Sequence, residues 1–472
     1  MKMYHLLLLL FLVASPLFAQ EYQTGCLVDE DKYQAISLAA PFTTRSFSRL
    51  PTAVSLKKYA PTPKHQGPQG SCVGWATSYA ARSILQNIRN GTTDKSKQVA
   101  FSPAYIYNQV KLGERNNCVK GSYIEDALEV LQKQGTLPSS EFPYIDENCA
   151  DKPNKSQKQQ AAQYRIHAFE RVFDRNNDML RNINTIKKSL SDQKPVIIGF
   201  KCYDSFQNKM IAQEIWAGTV DFYRGGHAMT IVGYDDNKHG GAFEIMNSWG
   251  TEWGKNGFVW VHYEVLIQHL LAAFEMSLAP KPAEMQTFEA AMQIIDESEN
   301  DMPVRLATNA CRDFDVVQVD KSTYEMAKPY SSGTRFRIAV NTEQEAYIYI
   351  LGFGSKTKKV SQIYPFKHYS AHFPTSFAEI SIPDEEHFIA LDDNVGKDYL
   401  CLLYSSKPLD IVDIVAKLQA ESGYLPTRLK KVLKTDMLKG ENIVFERERI
   451  AFSAKTKDKS IVPVVVEFEH IE

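Results

Sequence analysis

The chain carries no excess of basic residues. Lys plus Arg number 54 and Asp plus Glu 56, a formal charge of −2 over 472 residues. That balance disfavours a protein built to coat nucleic acid or an anionic membrane. There is no tandem repeat and no long low-complexity tract. With 44 % hydrophobic and 23 % charged residues, the composition is neither disordered nor collagen-like. After Ala19 no apolar run approaches the ~20 residues a bilayer-spanning helix needs. Cysteine is sparse and odd in number, at seven: Cys26, Cys72, Cys118, Cys149, Cys202, Cys311 and Cys401. What is present is length, enough for about three domains at roughly 150 residues each.

The first residues read as a targeting segment. Lys2 precedes the apolar run Leu6–Ala14, and Ser15-Pro16-Leu17-Phe18-Ala19 leads to the polar Gln20. This pattern is that of a secretory signal cleaved after Ala19, leaving 472 − 19 = 453 residues. The run is too short for an anchor helix. Gln23-Thr24-Gly25 before Cys26 is not the apolar-plus-small sequence of a lipoprotein site. The expected location is therefore exported: periplasmic, extracellular or at the cell surface. Export permits disulfides, and an odd count leaves at least one thiol unpaired unless it bridges two chains.

Residues 20–49 are polar and weakly patterned, and read as a leader or linker. Residues 50–279 have mixed character. Helices are expected over Cys72–Asn90, ended by Gly91, and over Ile124–Gln134, ended by Gly135. Strands are expected at Val196–Phe200, Ala228–Tyr234 and Phe243–Met246. Helices early and strands late predict an α+β domain with two lobes. Residues 280–302 open with Pro280-Lys281-Pro282 and turn acidic near Glu297–Asp301, which reads as a linker. Residues 303–472 read as a β-rich domain. Its expected strands are Arg335–Val340, Ala346–Leu351, Val360–Tyr364, Asp398–Tyr404 and Ile461–Phe468, with a helix near Ile411–Glu421. Tyr347 and Tyr349 form a stripe of the kind that usually lies in a core.

The chemistry concentrates in three segments. In Gln66-Gly67-Pro68-Gln69-Gly70-Ser71-Cys72-Val73-Gly74-Trp75-Ala76, a glycine-containing loop delivers a cysteine to a helix start. The free N–H groups there favour the thiolate, the nucleophilic form. A lone cysteine in an exported chain is ordinarily a buried hydrophobe or half a disulfide. Two later segments change that reading. Gly225-Gly226-His227-Ala228 sets a histidine at the head of an apolar strand, and Asn247-Ser248-Trp249-Gly250-Thr251-Glu252-Trp253-Gly254-Lys255-Asn256-Gly257-Phe258 follows.

Together these segments resemble the papain family of cysteine peptidases, over about residues 50–279. The separations are 227 − 72 = 155 and 247 − 72 = 175 residues. The resemblance implies a helical lobe and a β-barrel-like lobe. It implies Cys72 as nucleophile, His227 as its base and acid, and Asn247 as the residue that orients the imidazole. Gln66 matches the side-chain donor of the oxyanion hole, with the Cys72 N–H as the second donor. Trp249 matches the indole that screens the Asn–His hydrogen bond. A Cys–His pair can rest as thiolate–imidazolium, and no metal or organic cofactor is required. Gly121 and Ser122 resemble the strand that pairs with substrate backbone; an ordinary turn before a helix is the other reading.

Departures from the family pattern are Val73 in place of Trp, Gln69 in place of Cys, and Gly226 in place of Asn or Asp. They suggest a bacterial branch. The resemblance also implies a Cys118–Cys149 disulfide. Cys311–Cys401 is a weaker expectation, as the two cysteines of the C-terminal domain, and Cys26 and Cys202 remain. Only residues 20–49 precede the enzyme-like segment, so the family's long helical pro-region is not expected. Residues Phe336–Ser405 resemble an uncharacterised bacterial domain found beside peptidase and kinase domains. The function expected is an exported thiol peptidase acting on peptide or protein substrates. The alternatives are a Cys–His acyl transferase, which would use an acid as third residue, and an inactive papain-like binding module.

Overall fold

The structure is a computed structural model that describes residues 22–279, 286–307, 311–312, 315–316, 322–366, 368–373, 378–438, 442–456 and 460–472. The expected signal segment, 1–19, lies outside the described residues.

The helix expected from Cys72 forms and is the axis of the first lobe. It begins as an α turn at Cys72–Gly74, passes through a π-helical stretch at Trp75–Arg82, and continues as α-helix over Ser83–Asn90. Gly91 ends it in the left-handed conformation (φ 65°), which a glycine adopts without a Cβ penalty. Every residue from Cys72 to Leu85 is buried, so this helix runs through the core and not along its surface. Helices Pro103–Val110 and Ile124–Lys133 pack around it. The first starts with Ser102 capping the Tyr105 N–H (3.0 Å) and Pro103 in its first turn, where the missing N–H costs nothing.

The second lobe is a sheet. Its strands run in the order Ala168–Arg171, Leu270–Ser277, Val196–Tyr203, Tyr223–Asp235, Ala242–Met246, Phe258–His262 and Ile215–Trp216. Ala53–Ser55 adds to the long Tyr223–Asp235 strand. Val196–Phe200 is buried on both faces, which accounts for its unbroken apolar run. Thr230 Oγ1 donates to Ala76 O (3.0 Å), fastening the sheet to the central helix. The two lobes therefore meet where Cys72 begins its helix and Tyr223–Asp235 carries His227.

The C-terminal domain is a two-sheet sandwich. One sheet orders Ala378–Ile382, Arg335–Thr342, Gln286–Asp296, Ile450–Thr456 and Ile443–Phe445; the other orders Val304–Leu306, Thr323–Met326, Ile461–Ile471, Gly396–Ser405, Ala346–Gly354 and Val360–Tyr364. Ile338, Val340, Ile348, Ile350, Leu402 and Val464 fill the space between them. Tyr347, Tyr349 and Leu403 face the other way, under helices Ile411–Ala420 and Leu425–Leu433. The tyrosine stripe is thus core.

Three expectations are corrected. Residues 286–302 are not linker: Gln286–Asp296 is a strand in the middle of a sheet, with Phe288, Ala290, Met292 and Ile294 buried in alternation. The acidic stretch after it is a tight turn, in which Asp296 Oδ1 accepts from the Ser298 and Asn300 N–H groups (2.9 Å each). Residues 22–49 are not a loose tether. They contain a strand, Cys26–Leu27, helices Glu30–Ala35 and Thr44–Phe47, and a run from Leu38 to Thr43 in which every residue is buried. Finally, the Cys118–Cys149 disulfide forms, but Cys401 is a free thiol, so Cys311–Cys401 does not. Cys401 is completely buried in mid-strand among Tyr349, Leu403 and the helical layer, where it serves as a small hydrophobe. Cys26, Cys72 and Cys202 are also free and buried.

Candidate active site

The loop before the helix is built to hold one side chain at its tip. The Gln66 N–H donates to Ser248 O (2.8 Å), and the Tyr144 hydroxyl donates to Gln66 O (2.5 Å). Gln69 Nε2 donates to the carbonyls of Ile145 and Asp146 (2.6 and 2.8 Å). Gln69 thus anchors the loop by hydrogen bonds at the position where the family resemblance leads one to expect a cysteine. Beyond it, Cys72 opens the helix and is fully buried.

The backbone N–H groups of Ala228, Val73 and Cys72 itself point at the Cys72 sulfur and favour its anion, but burial outweighs them and pushes the thiol up to about 12. Ala228 follows His227 in the strand, so the thiol abuts the backbone beside the imidazole. Burial likewise pulls His227 down to about 4, against the opposing hydrogen bond that its ring donates to Asn247. His227 Nε2 lies 2.7 Å from Asn247 Oδ1, which also accepts the Ser248 N–H (2.7 Å). The Asn247 N–H donates to Gly257 O (3.0 Å), fixing the amide from behind. Trp249 stacks on the imidazole with centroids 4.2 Å apart and planes 16° from parallel. His227 Nδ1 has no hydrogen-bond partner, which leaves it free to take a proton.

In this closed arrangement burial favours the neutral thiol and the neutral imidazole. The expected thiolate–imidazolium is disfavoured because neither charge has water around it. The chain's own leader lies across the cleft that holds them. Gln66 Nε2 donates to Gln23 O (3.2 Å) as well as to Gln69 O (2.9 Å), while Gln66 Oε1 accepts from Ser248 Oγ (2.7 Å). Trp249 Nε1 donates to the same Gln23 carbonyl (3.1 Å). Tyr22 stacks over Trp249 at 5.1 Å. The Gly25 N–H donates to Gly226 O (3.1 Å), the Ser122 N–H donates to Gly25 O (2.9 Å), and Cys26–Leu27 runs parallel to Ser122–Tyr123. The edge formed by Gly121 and Ser122 is therefore a strand-pairing edge, and residues 22–27 occupy it.

Glycines make room for this. A Cβ on Gly121 would lie 2.2 Å from Gly25 O, one on Gly226 2.2 Å from Cys26 O, and one on Gly25 2.3 Å from Gly70 O. Gly226, a departure from the family pattern, is thus needed for the backbone to pass. Sequence reasoning missed Gln23 and Gly25. The available signal was the glycine trio itself, but nothing in the sequence shows that its members face one another.

A family model described as papain family cysteine protease matches residues 50–273, and a domain of unknown function matches residues 329–408. An uncharacterized peptidase C1-like protein of Acanthamoeba polyphaga mimivirus is 26% identical over 241 residues, 49% of this chain and 72% of that protein. Cathepsin K of Gallus gallus is 30% identical over 220 residues, 45% of this chain and 59% of its own length, so the chain spans less than two thirds of that relative. Among solved structures, xylellain, a cysteine protease from Xylella fastidiosa, is 24% identical with a TM-score of 0.45, covering 56% of this chain and 97% of its own. The helical lobe, the sheet lobe and the match over residues 50–273 lead to one assignment: residues 50–273 form a papain-family cysteine protease domain, a cysteine-type peptidase.

Proposed function

We propose that the protein is an exported peptidase that cleaves peptide bonds of peptide or protein substrates with Cys72 as nucleophile and His227 as its proton partner. We further propose that residues 22–27 keep it latent. The observation that carries this reading is the convergence of one thiol, one imidazole held at 2.7 Å by Asn247, and one Gln66 amide, on a cleft already threaded by extended backbone.

When the leader leaves, water enters and the desolvation that keeps both groups neutral is relieved. The Cys72 proton passes to His227 Nδ1, and the N–H groups of Ala228, Val73 and Cys72 hold the thiolate. The sulfur attacks the scissile carbonyl carbon. Gln66 Nε2, which now holds the Gln23 carbonyl, is free to donate to the oxyanion together with the Cys72 N–H. The imidazolium gives its proton to the leaving amine. Water, deprotonated by the same ring, then hydrolyses the thioester. Asn247 accepts from Nε2–H throughout, and Trp249 keeps water from that bond. Asn247 in this place, where an acyl transferase would use an acid, favours hydrolysis over transfer. Ser122 N–H and Gly226 O, which pair with Gly25, are the groups that would take substrate backbone.

Export is supported by the Lys2–Ala19 pattern and is consistent with the Cys118–Cys149 disulfide, which needs an oxidising compartment. The test is alkylation. In the chain freed of its leader, iodoacetamide should modify Cys72 before Cys202 or Cys401 and stop proteolysis. Proteolysis that survives Cys72→Ala would refute the assignment.

A further inference from the structure

Residues 38–46 lie in the seam between the two domains and bond to both. On the peptidase side, the Ala39 N–H donates to Arg171 O and the Arg171 N–H to Ser37 O (2.9 Å each). On the other side, the Leu38 N–H donates to His368 O (2.6 Å) and the Ser370 N–H to Leu38 O (2.7 Å). The chain then crosses to the C-terminal domain, with Phe42 still under Lys188 Nζ of the peptidase domain (5.4 Å to the ring centroid). The Ser381 N–H donates to Pro41 O (3.2 Å), the Thr43 N–H donates to Glu379 O (3.0 Å), and Phe42 bridges to Ile380. In effect the segment extends the sheet beyond Ala378–Ile382, the strand at its edge.

Side chains follow the backbone. Ala40 and Phe42 belong to the core of the C-terminal sandwich and not to that of the peptidase. The Thr44 N–H and hydroxyl both reach the Glu385 carboxylate (2.9 and 2.7 Å), and Ser46 Oγ exchanges hydrogen bonds with the backbone of Glu379 (2.8 Å each). The part that fills the cleft, Tyr22–Leu27, is short: its backbone pairs with the cleft walls, and its buried side chains are Tyr22 and Cys26. The two parts are joined by the ten residues 28–37, including helix Glu30–Ala35, whose Tyr33 hydroxyl donates to Phe173 O (2.6 Å).

We infer that the C-terminal domain is a docking module whose ligand is the leader of its own chain: it takes residues 38–46 as an added edge strand and so fastens residues 22–27 in the cleft. This rests on the reading of that cleft as the active site. A tether of this length holds the cleft segment at an effective concentration on the order of millimolar, and its loss weakens binding by roughly 10²–10⁴-fold. A cut between Val28 and Ser37 separates plug from clamp, so the plug departs while residues 38–46 stay docked. Loosening the clamp without a cut frees the plug less completely.

The experiment measures the rate constant for iodoacetamide alkylation of Cys72 in the full 20–472 chain. Phe42→Ala should raise it about tenfold, because truncating a buried aromatic costs well over the 1.4 kcal/mol that tenfold represents. Glu385→Ala, which removes a partly exposed carboxylate outside the core, should raise it about threefold through two lost hydrogen bonds. It decides the matter if Phe42→Ala fails to fold. Amide exchange at Leu38, Ala39 and Thr43 should rise in step. The reference is a chain with a site-specific protease sequence inserted after Val28 and cut there. If that cut chain does not alkylate at Cys72, the active-site reading is what fails. If it reacts quickly while both variants match the uncut parent in rate and exchange, the docking inference is overturned.

Discussion

The seam contains a histidine whose charge should set the pH dependence of stability. His372 is almost completely buried, with Nδ1 at 3.0 Å from Glu170 of the peptidase domain and Nε2 at 2.8 Å from Glu345 of its own domain. Ser370 Oγ also donates to Glu170 (2.7 Å). Lys194 and Glu275 form a buried pair behind them (2.6 Å), and the neutral-leaning His167 shares a hydrogen bond with the Tyr347 hydroxyl (2.6 Å) nearby. Burial alone would lower His372. The Glu170 charge and the two carboxylate hydrogen bonds prevail over it and over Lys194, and raise the group to about 9. A raised folded-state value means the imidazolium stabilises the fold fully below pH 6.5, its unfolded value, and ceases to do so as pH climbs through about 9. The difference is worth about 3 kcal/mol, at 1.36 kcal/mol per unit. Urea unfolding of the parent chain and of His372→Gln, at intervals between pH 6 and 9.5, measures it. The parent should lose about 3 kcal/mol more than the variant across that interval. Equal losses would show that the carboxylates do not hold a charged imidazole, and that the seam is joined some other way.

Further predictions concern the cleft and its surroundings. Gly25→Ala places a Cβ 2.3 Å from Gly70 O and alters only the leader, so it should raise Cys72 alkylation of the intact chain by about tenfold or more. Gln66→Ala, assayed after leader removal, should lower kcat by roughly 10²–10³ with little change in KM, since its amide acts on the oxyanion and not on bound substrate. Replacing Cys118 and Cys149 by alanine opens a loop of 31 residues and should cost about 3–4 kcal/mol in denaturant unfolding.

The parts of this molecule that could be read from its sequence are those in which neighbouring residues share one task. Cys72 with its helix, and Asn247 with Trp249, are spelled out in contiguous stretches. The strands around Ile348 and Leu402 announce themselves by β-branched and aromatic runs. What escaped reading depends on partners far away in the chain. Gln23 and Gly25 act through a carbonyl and an absent side chain, so neither leaves a periodic signal. Gln286–Asp296 was hidden by Pro280, Pro282 and the acidic turn after it, although Phe288, Ala290, Met292 and Ile294 do alternate. The pairing of Cys311 with Cys401 fails because a thiol can be kept for its volume. The run Leu38–Thr43 is too short to show a pattern, and its apolar character makes sense only with a domain on either side.

That last run bears on how the protein can be handled. Family similarity begins at residue 50, and a recombinant chain started there would look complete. It would lack Phe42 and Ala40, leaving a gap at the margin of the sandwich, and would uncover the hydrogen-bonding edge at Glu379–Ser381. An uncovered edge beside apolar surface is a template for self-association. Insoluble product from such a truncation would reflect a missing strand, not an unstable enzyme.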